Sequence, residues 1–416
     1  MNTIKRVSIV AVVLVAMGAA AQNAVTDWNN IAITAAGASK APGSATPGGM
    51  GVYVAYMQLA VYNAVNAIDR RYTPYKYTLT ANPVTSPDAA AIEAAHQVLR
   101  AVLPDQSDYL DAQHTQALAA IPDGLEKTNG VLLGKASAQA LLTLRAGDGL
   151  GANVPYGWPA SPVPGVWIPT PPAFAKPQTP WLGQMRPFTF DNPAKFLPRE
   201  APPDLSSPTW TADYNQVKTR GAAITPVRTP QQTETAMFWT DHTTTQYGRL
   251  LRSIAAQREL SLAETARLFA MVYTAHADAI IGCYNAKYHF NFWRPVTAIQ
   301  NGDLDSNADT FADPTWSPLA PTPPHPEYPS AHCCITGAVA TALKSFFGTP
   351  NLKLSIDSTV TNTVRTFNNV KDLEIEVENA RILIGFHYRH SVVQGNLLGQ
   401  KVAQYVTNNY FRPVRR

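Results

Sequence analysis

The stretch MGVYVAYMQLAVYNAVNAIDRR, residues 50–71, decides the fold class. Within it Tyr53, Met57, Ala60, Val61, Ala64 and Ile68 recur three and four positions apart, the spacing of one face of an α-helix. Such a face must be buried. Downstream, Ser86-Pro87-Asp88 places a capping hydroxyl ahead of a Pro in the first turn, a helix start for AAAIEAAHQVLRAVL. DYLDAQHTQALAAI and LEKTNGVLLGKASAQALLTLRAG continue the pattern, and Gly147-Asp148-Gly149 closes the second. Further helices are predicted near 209–221, 230–258, 261–286, 332–347, 371–386 and 392–409. No segment alternates apolar and polar residues far enough to predict a strand. The chain reads as an all-α helical bundle.

Composition sets the frame around those helices. Only 15% of the 416 residues are charged, 45% are apolar, and the net charge is +4. This excludes disorder along the whole chain and leaves no basic footprint for nucleic acid. Three Cys cannot make a disulfide scaffold; Cys333 and Cys334 are adjacent, so Cys283 could join one of them at most, and all three are expected as small apolar fillers. Residues 1–21 combine Lys5 and Arg6, an apolar run from Val7 to Met17, and Ala19-Ala20-Ala21. That is the pattern of a secretory signal peptide, with an apolar run too short for a membrane anchor. A secreted or periplasmic protein is expected, not integral to a membrane after cleavage. A homodimer through helix faces is compatible with this architecture.

The mature chain, 22–416, is expected as one domain: N-terminal helices over 22–150, a Pro-rich loop over 151–208, and helices over 209–416. Between Pro155 and Pro203 lie 14 of the 34 prolines, interleaved with Trp158, Trp167, Phe174, Trp181, Phe188, Phe190 and Phe196. Rings at that density need a surface, so the segment is read as an ordered loop, either walling a pocket or strapping the helices.

Chemistry collects in the C-terminal third. Six of the nine His lie between 276 and 390, beside three patterns: Lys287-x6-Arg294-Pro295, Pro329-Ser330-Ala331-His332 and Arg381-x5-His387. Lys287, Arg294 and Arg381 are cations with N–H donors, two of them forked guanidiniums suited to oxyanions. Ser330 adds a hydroxyl, and a helix starting near His332 would aim the amides of Ala331 and His332 at an anion. Two His remain, one to bond the central atom and one to move a proton. No carboxylate falls inside the three patterns. A zinc site from His325, His332, His387 and His390 lacks suitably spaced Cys or carboxylate partners. Gly130-x3-Gly134-Lys135-Ala136 lacks the spacing and hydroxyl of a P-loop, and no G-x-S-x-G elbow is present. The set suits a tetrahedral oxyanion.

KYHFNFWRP, PSAH and NARILIGFHYRHS together resemble the signature of vanadium-dependent haloperoxidases and type 2 phosphatidic acid phosphatases, K-x6-R-P, P-S-G-H and S-R-x5-H-x3-D. VTDWNNIAITAA, YMQLAVYNAVNAIDRRY, GVWIPTPPAFA and NFWRPVTAI extend the resemblance over nearly the whole mature chain. It implies an all-α bundle with vanadate as cofactor, and hydrogen peroxide with a halide or a small organic molecule as substrates. Lys287, Arg294, Ser330, the Ala331 amide and Arg381 would hold the equatorial oxygens. His387 would be the axial ligand of vanadium, His332 the acid–base group, and Lys287 would polarise bound peroxide. The alternative is an acid phosphatase that hydrolyses phosphomonoesters through phospho-His387. The two activities share a pocket because five-coordinate vanadate has the shape and charge of the phosphoryl-transfer transition state.

Two departures from the signature matter. Ala331 replaces Gly, a strain if the backbone there needs positive φ. Ser391 replaces the Asp that follows the axial His, which weakens the phosphatase reading unless another group fixes the tautomer. His325 stands where bromoperoxidases of the family carry His and chloroperoxidases Phe, which favours bromide or iodide; otherwise it only hydrogen-bonds locally.

Overall fold

A computed structural model describes residues 23–414; the signal-peptide reading falls on residues outside that range. The N-terminal helices are α1 (Ala24–Ala38), α2 (Pro47–Asp69), α3 (Pro87–Val102), α4 (Ser107–Ala119) and α5 (Leu125–Arg145). After the Pro-rich segment come α6 (Pro208–Arg220), α7 (Pro230–Phe238), α8 (Thr243–Gln257), α9 (Leu262–Phe290) and α10 (Pro295–Gln300). The last group is α11 (Ala331–Phe347), α12 (Val370–Leu383) and α13 (Arg389–Asn409). Four starts, at Thr46, Ser86, Ser207 and Thr229, repeat one device: a Ser or Thr hydroxyl accepts an amide of the first turn and Pro follows it. No helix among the described residues is long and apolar enough to cross a membrane.

α9 is the axis of the fold. Its middle is apolar all round, and α2, α11 and α13 pack against it. α11 and α13 approach closely because glycines face the contact. A Cβ at Gly399 would lie 2.1 Å from the Cys334 carbonyl oxygen, and one at Gly395 would lie 2.7 Å from that of Ser330. The N-terminus of α11 is thereby pinned against α13. The three Cys are free and buried, as fillers.

Two local expectations are corrected. Leu354–Ser358 (β1) and Thr363–Phe367 (β2) form an antiparallel hairpin, in register from Leu354 opposite Phe367 to Ser358 opposite Thr363. Leu354, Ile356 and Ser358 face inward, an alternation confined to five residues and so too short to stand out. The predicted helix over 230–258 is two, α7 and α8, broken at Trp239–His242. There the Asp241 side chain accepts the His242 and Thr359 amides, which competes with helical pairing.

The Pro-rich segment has two short 3-10 turns, Pro180–Gln184 and Pro193–Phe196. It lies on α9 with Trp167, Trp181 and Phe188 buried, whereas Phe174 remains 64% exposed. Its amides bond the C-terminal third of the fold: Trp167 donates to the Asn291 carbonyl at 2.8 Å and Gln178 to that of Pro324 at 2.7 Å.

Candidate functional site

Each part of the oxyanion set is held by a different element. Lys287 lies in the last turn of α9, which Asn291 ends in a left-handed conformation. The chain then turns so that Arg294 precedes α10. Ser330 precedes α11, Arg381 lies near the end of α12, and His387 sits in the turn before α13, just after Gly385 at positive φ. Lys287, Arg294, Ser330, Arg381 and His387 are all at most 2% exposed.

The contacts bring these groups together. An Arg294 Nη1–H lies 3.2 Å from His387 Nε2, and Nη2 lies 2.9 Å from His325 Nδ1. Lys287 Nζ donates to the carbonyls of Pro326 (2.8 Å) and Glu327 (2.9 Å), leaving its third N–H free. Arg381 donates to the Trp239 carbonyl at 2.9 Å, which the break between α7 and α8 exposes. His332, one residue into α11, is half-buried, and its Nε2 is buried with no partner. His325 is buried against Arg294 and Tyr284, so its bonding reaches beyond its own loop. His390 turns away, to the Ala201 carbonyl at 3.0 Å.

Glu327 is the residue that the sequence reading missed. Fully buried, it accepts the Nδ1–H of His387 at 2.7 Å and the Tyr388 amide at 3.2 Å. It takes the orienting task that the signature gives to the residue at Ser391. This leaves His387 Nε2 as the lone-pair nitrogen, turned toward Arg294. Glu327 lies outside the three patterns, and it is the other group that fixes the His387 tautomer in place of the residue at Ser391. One signal was available: Glu327 is the only acidic residue between Asp313 and Asp357, and it stands three before Ser330. Ala331 is not strained; it opens α11 and is absent from the positive-φ positions.

The electrostatics are those of a cation cluster with one counter-charge. Burial, reinforced by Arg294, pushes the Lys287 amine down to about 8. Burial lowers both guanidiniums too, although they remain charged at neutral pH. Burial raises the Glu327 carboxyl to about 7, against the pull of Lys287 and Arg294. His325, His332 and His387 are held neutral by burial and by the same cations.

The donors fit vanadate or phosphate. Ser330 Oγ, His332 Nε2 and Arg381 Nε are buried with no hydrogen-bond partner. The first-turn amides of α11 have no helical carbonyl behind them. Orphaned donors around three buried cations are what an oxyanion would satisfy.

The chain is similar to vanadium haloperoxidases, by sequence in its C-terminal part and by fold over most of its length. Residues 267–416 match the family model described as the VCPO second helical-bundle domain. Among individual relatives, the vanadium chloroperoxidase of Curvularia inaequalis is 30% identical over 142 residues, 29% of this chain and 23% of the relative's length. A bacterial vanadium-dependent iodoperoxidase structure superposes with a TM-score of 0.78 at 22% identity, covering 94% of this chain and 97% of that one. A holo-type bacterial vanadium-dependent chloroperoxidase gives 0.73 at 17% identity, covering 93% and 97%.

Proposed function

We propose that this chain is an exported, vanadate-dependent haloperoxidase that oxidises bromide or iodide with hydrogen peroxide. The observation that carries the reading is the Glu327–His387 pair at 2.7 Å facing three buried cations. Lys287, Arg294, Ser330, the Ala331 amide and Arg381 would hold the oxyanion oxygens, with His387 Nε2 on the central atom. The chemistry that vanadate supplies when bound is activation of hydrogen peroxide for a two-electron oxidation of halide. The chain's own part is positional and protonic. Neutral His332, whose Nε2 is buried and unpartnered, takes a proton from incoming peroxide. The third N–H of Lys287 withdraws charge from the bound oxygens. His325, held by Arg294, sits where the resemblance places halide selectivity.

One observation keeps the phosphatase reading in view. With Glu327 fixing the tautomer, His387 Nε2 is also oriented to attack phosphorus while His332 protonates the departing alkoxide. Apo-protein separates the two. Peroxide-dependent bromination or iodination of a phenolic dye that appears only with orthovanadate supports the peroxidase. Phosphomonoester hydrolysis that vanadate inhibits, with no halogenation, replaces it by the phosphatase.

A further inference from the structure

α3 and α4 each carry a carboxylate and a His three residues apart, Glu93-x-x-His96 and Asp111-x-x-His114. At that spacing both members of a pair share one helix face. The two faces meet and the pairs cross: His96 Nε2 lies 2.7 Å from Asp111 Oδ1, and His114 Nε2 lies 2.7 Å from Glu93 Oε2. The imidazoles stack, centroids 3.9 Å apart and 12° from parallel. One donor atom from each of Glu93, His96 and His114 falls within 4.8 Å of the others.

Several features make this more than a pair of salt bridges. Glu93 and His96 are buried, at 1% and 4% exposure, where an uncompensated charge is costly. His96 Nδ1 is buried with no partner at all. Gln97 also donates to Glu93 Oε1 at 2.8 Å, the kind of second contact that orients a ligating carboxylate. His114 is 20% exposed and offers an entry path.

We propose that Glu93, His96 and His114, with Asp111 at the rim, form a binding site for a transition-metal dication of the zinc class, separate from the oxyanion pocket. Imidazole and carboxylate donors on facing helices suit such an ion. Tetrahedral zinc spaces its ligand atoms by roughly 3.4 Å, so side-chain rotation suffices to close the group. The ion replaces the protons now shared between the crossed pairs and braces α3 against α4.

The test is calorimetric titration of the chelator-treated full chain with zinc chloride, with cobalt absorption reporting geometry. Wild type is expected to bind one equivalent with a micromolar or tighter Kd, and its melting temperature to rise with zinc. H114A, which changes a partly exposed ring and so should fold, is expected to lose at least tenfold in affinity and the thermal shift; E93Q is expected to follow. H387A, in the other pocket, keeps both. No binding by wild type at 100-fold excess zinc, or equal affinity in wild type, H114A and E93Q, overturns the proposal and leaves the four residues as ion pairs.

Discussion

The Glu327 carboxylate accepts the Nδ1–H of His387 at 2.7 Å across sixty residues of chain, from the loop before α11 to the turn before α13. It sets which nitrogen of His387 carries the lone pair. Removing an orienting partner of a ligating His lowers ligand affinity about 10- to 100-fold. E327A is therefore expected to weaken vanadate binding by that order, whereas E327Q, which retains an acceptor oxygen, loses less. Titration of the apo-protein with vanadate measures both. Wild-type affinity in both variants would assign His387's orientation to something else.

That pair also shows where the sequence was legible and where it was not. Lys287, Arg294, Ser330, Arg381 and His387 were readable because each lies in a short local pattern whose spacing survives without a fold. Glu327 was not, because its role depends on a contact sixty residues distant, while the position counted from His387 holds Ser391. The helices were readable where an apolar stripe ran for several turns, as in α2. The β1–β2 hairpin failed that test, having five residues per strand, and so did the interruption between α7 and α8, which rests on one side chain, Asp241, accepting two amides.

The cation cluster predicts that an oxyanion stabilises the fold. Lys287, Arg294 and Arg381 are buried, and Glu327 offsets only the first two, so an anion that binds only the folded state adds about 2.7 kcal/mol at 100 times its Kd. Phosphate should raise the melting temperature by a few degrees, and vanadate should do so at lower concentration. R381A is expected to abolish the shift measured from its own apo melting temperature, which loss of the Trp239 contact also lowers. A full phosphate shift in R381A would place the anion elsewhere.

Acid should unfold this protein through its buried histidines. Burial holds His276 down to about 3, with His242 nearby adding to the effect, and burial with the pocket cations keeps His325, His332 and His387 neutral. Unfolded imidazoles take up protons near 6.5, whereas the folded ones do so only far lower. Their contribution is therefore complete above pH 6.5 and is lost as pH falls toward the folded values. The loss is about 1.4 kcal/mol per pH unit for each ring kept neutral. Denaturant midpoints between pH 7 and 4 should fall steeply, and H276L, of similar volume and without a titrating ring, should flatten the slope. An unchanged slope in a folded H276L would mean that His276 is already protonated in the native state.

The glycine contact between α11 and α13 separates stability from function. An added Cβ at Gly399 meets the Cys334 carbonyl oxygen at 2.1 Å, a turn inside α11, whereas at Gly395 it meets the Ser330 carbonyl oxygen at 2.7 Å and Cys333 Cβ at 3.0 Å. Both alanines overpack backbone that has no free side chain to move aside, at a cost of roughly 1–3 kcal/mol each. Their effects on the pocket should differ. G399A pushes on α11 below its first turn and is expected to lower the melting temperature while the folded protein keeps most of its vanadate affinity. G395A pushes directly on Ser330, whose unpartnered hydroxyl and following amides face the oxyanion, so it should lose affinity as well as stability. Vanadate titrations of the two variants below their melting temperatures measure the difference. Equal affinities would mean that the N-terminus of α11 is held in register by contacts other than α13.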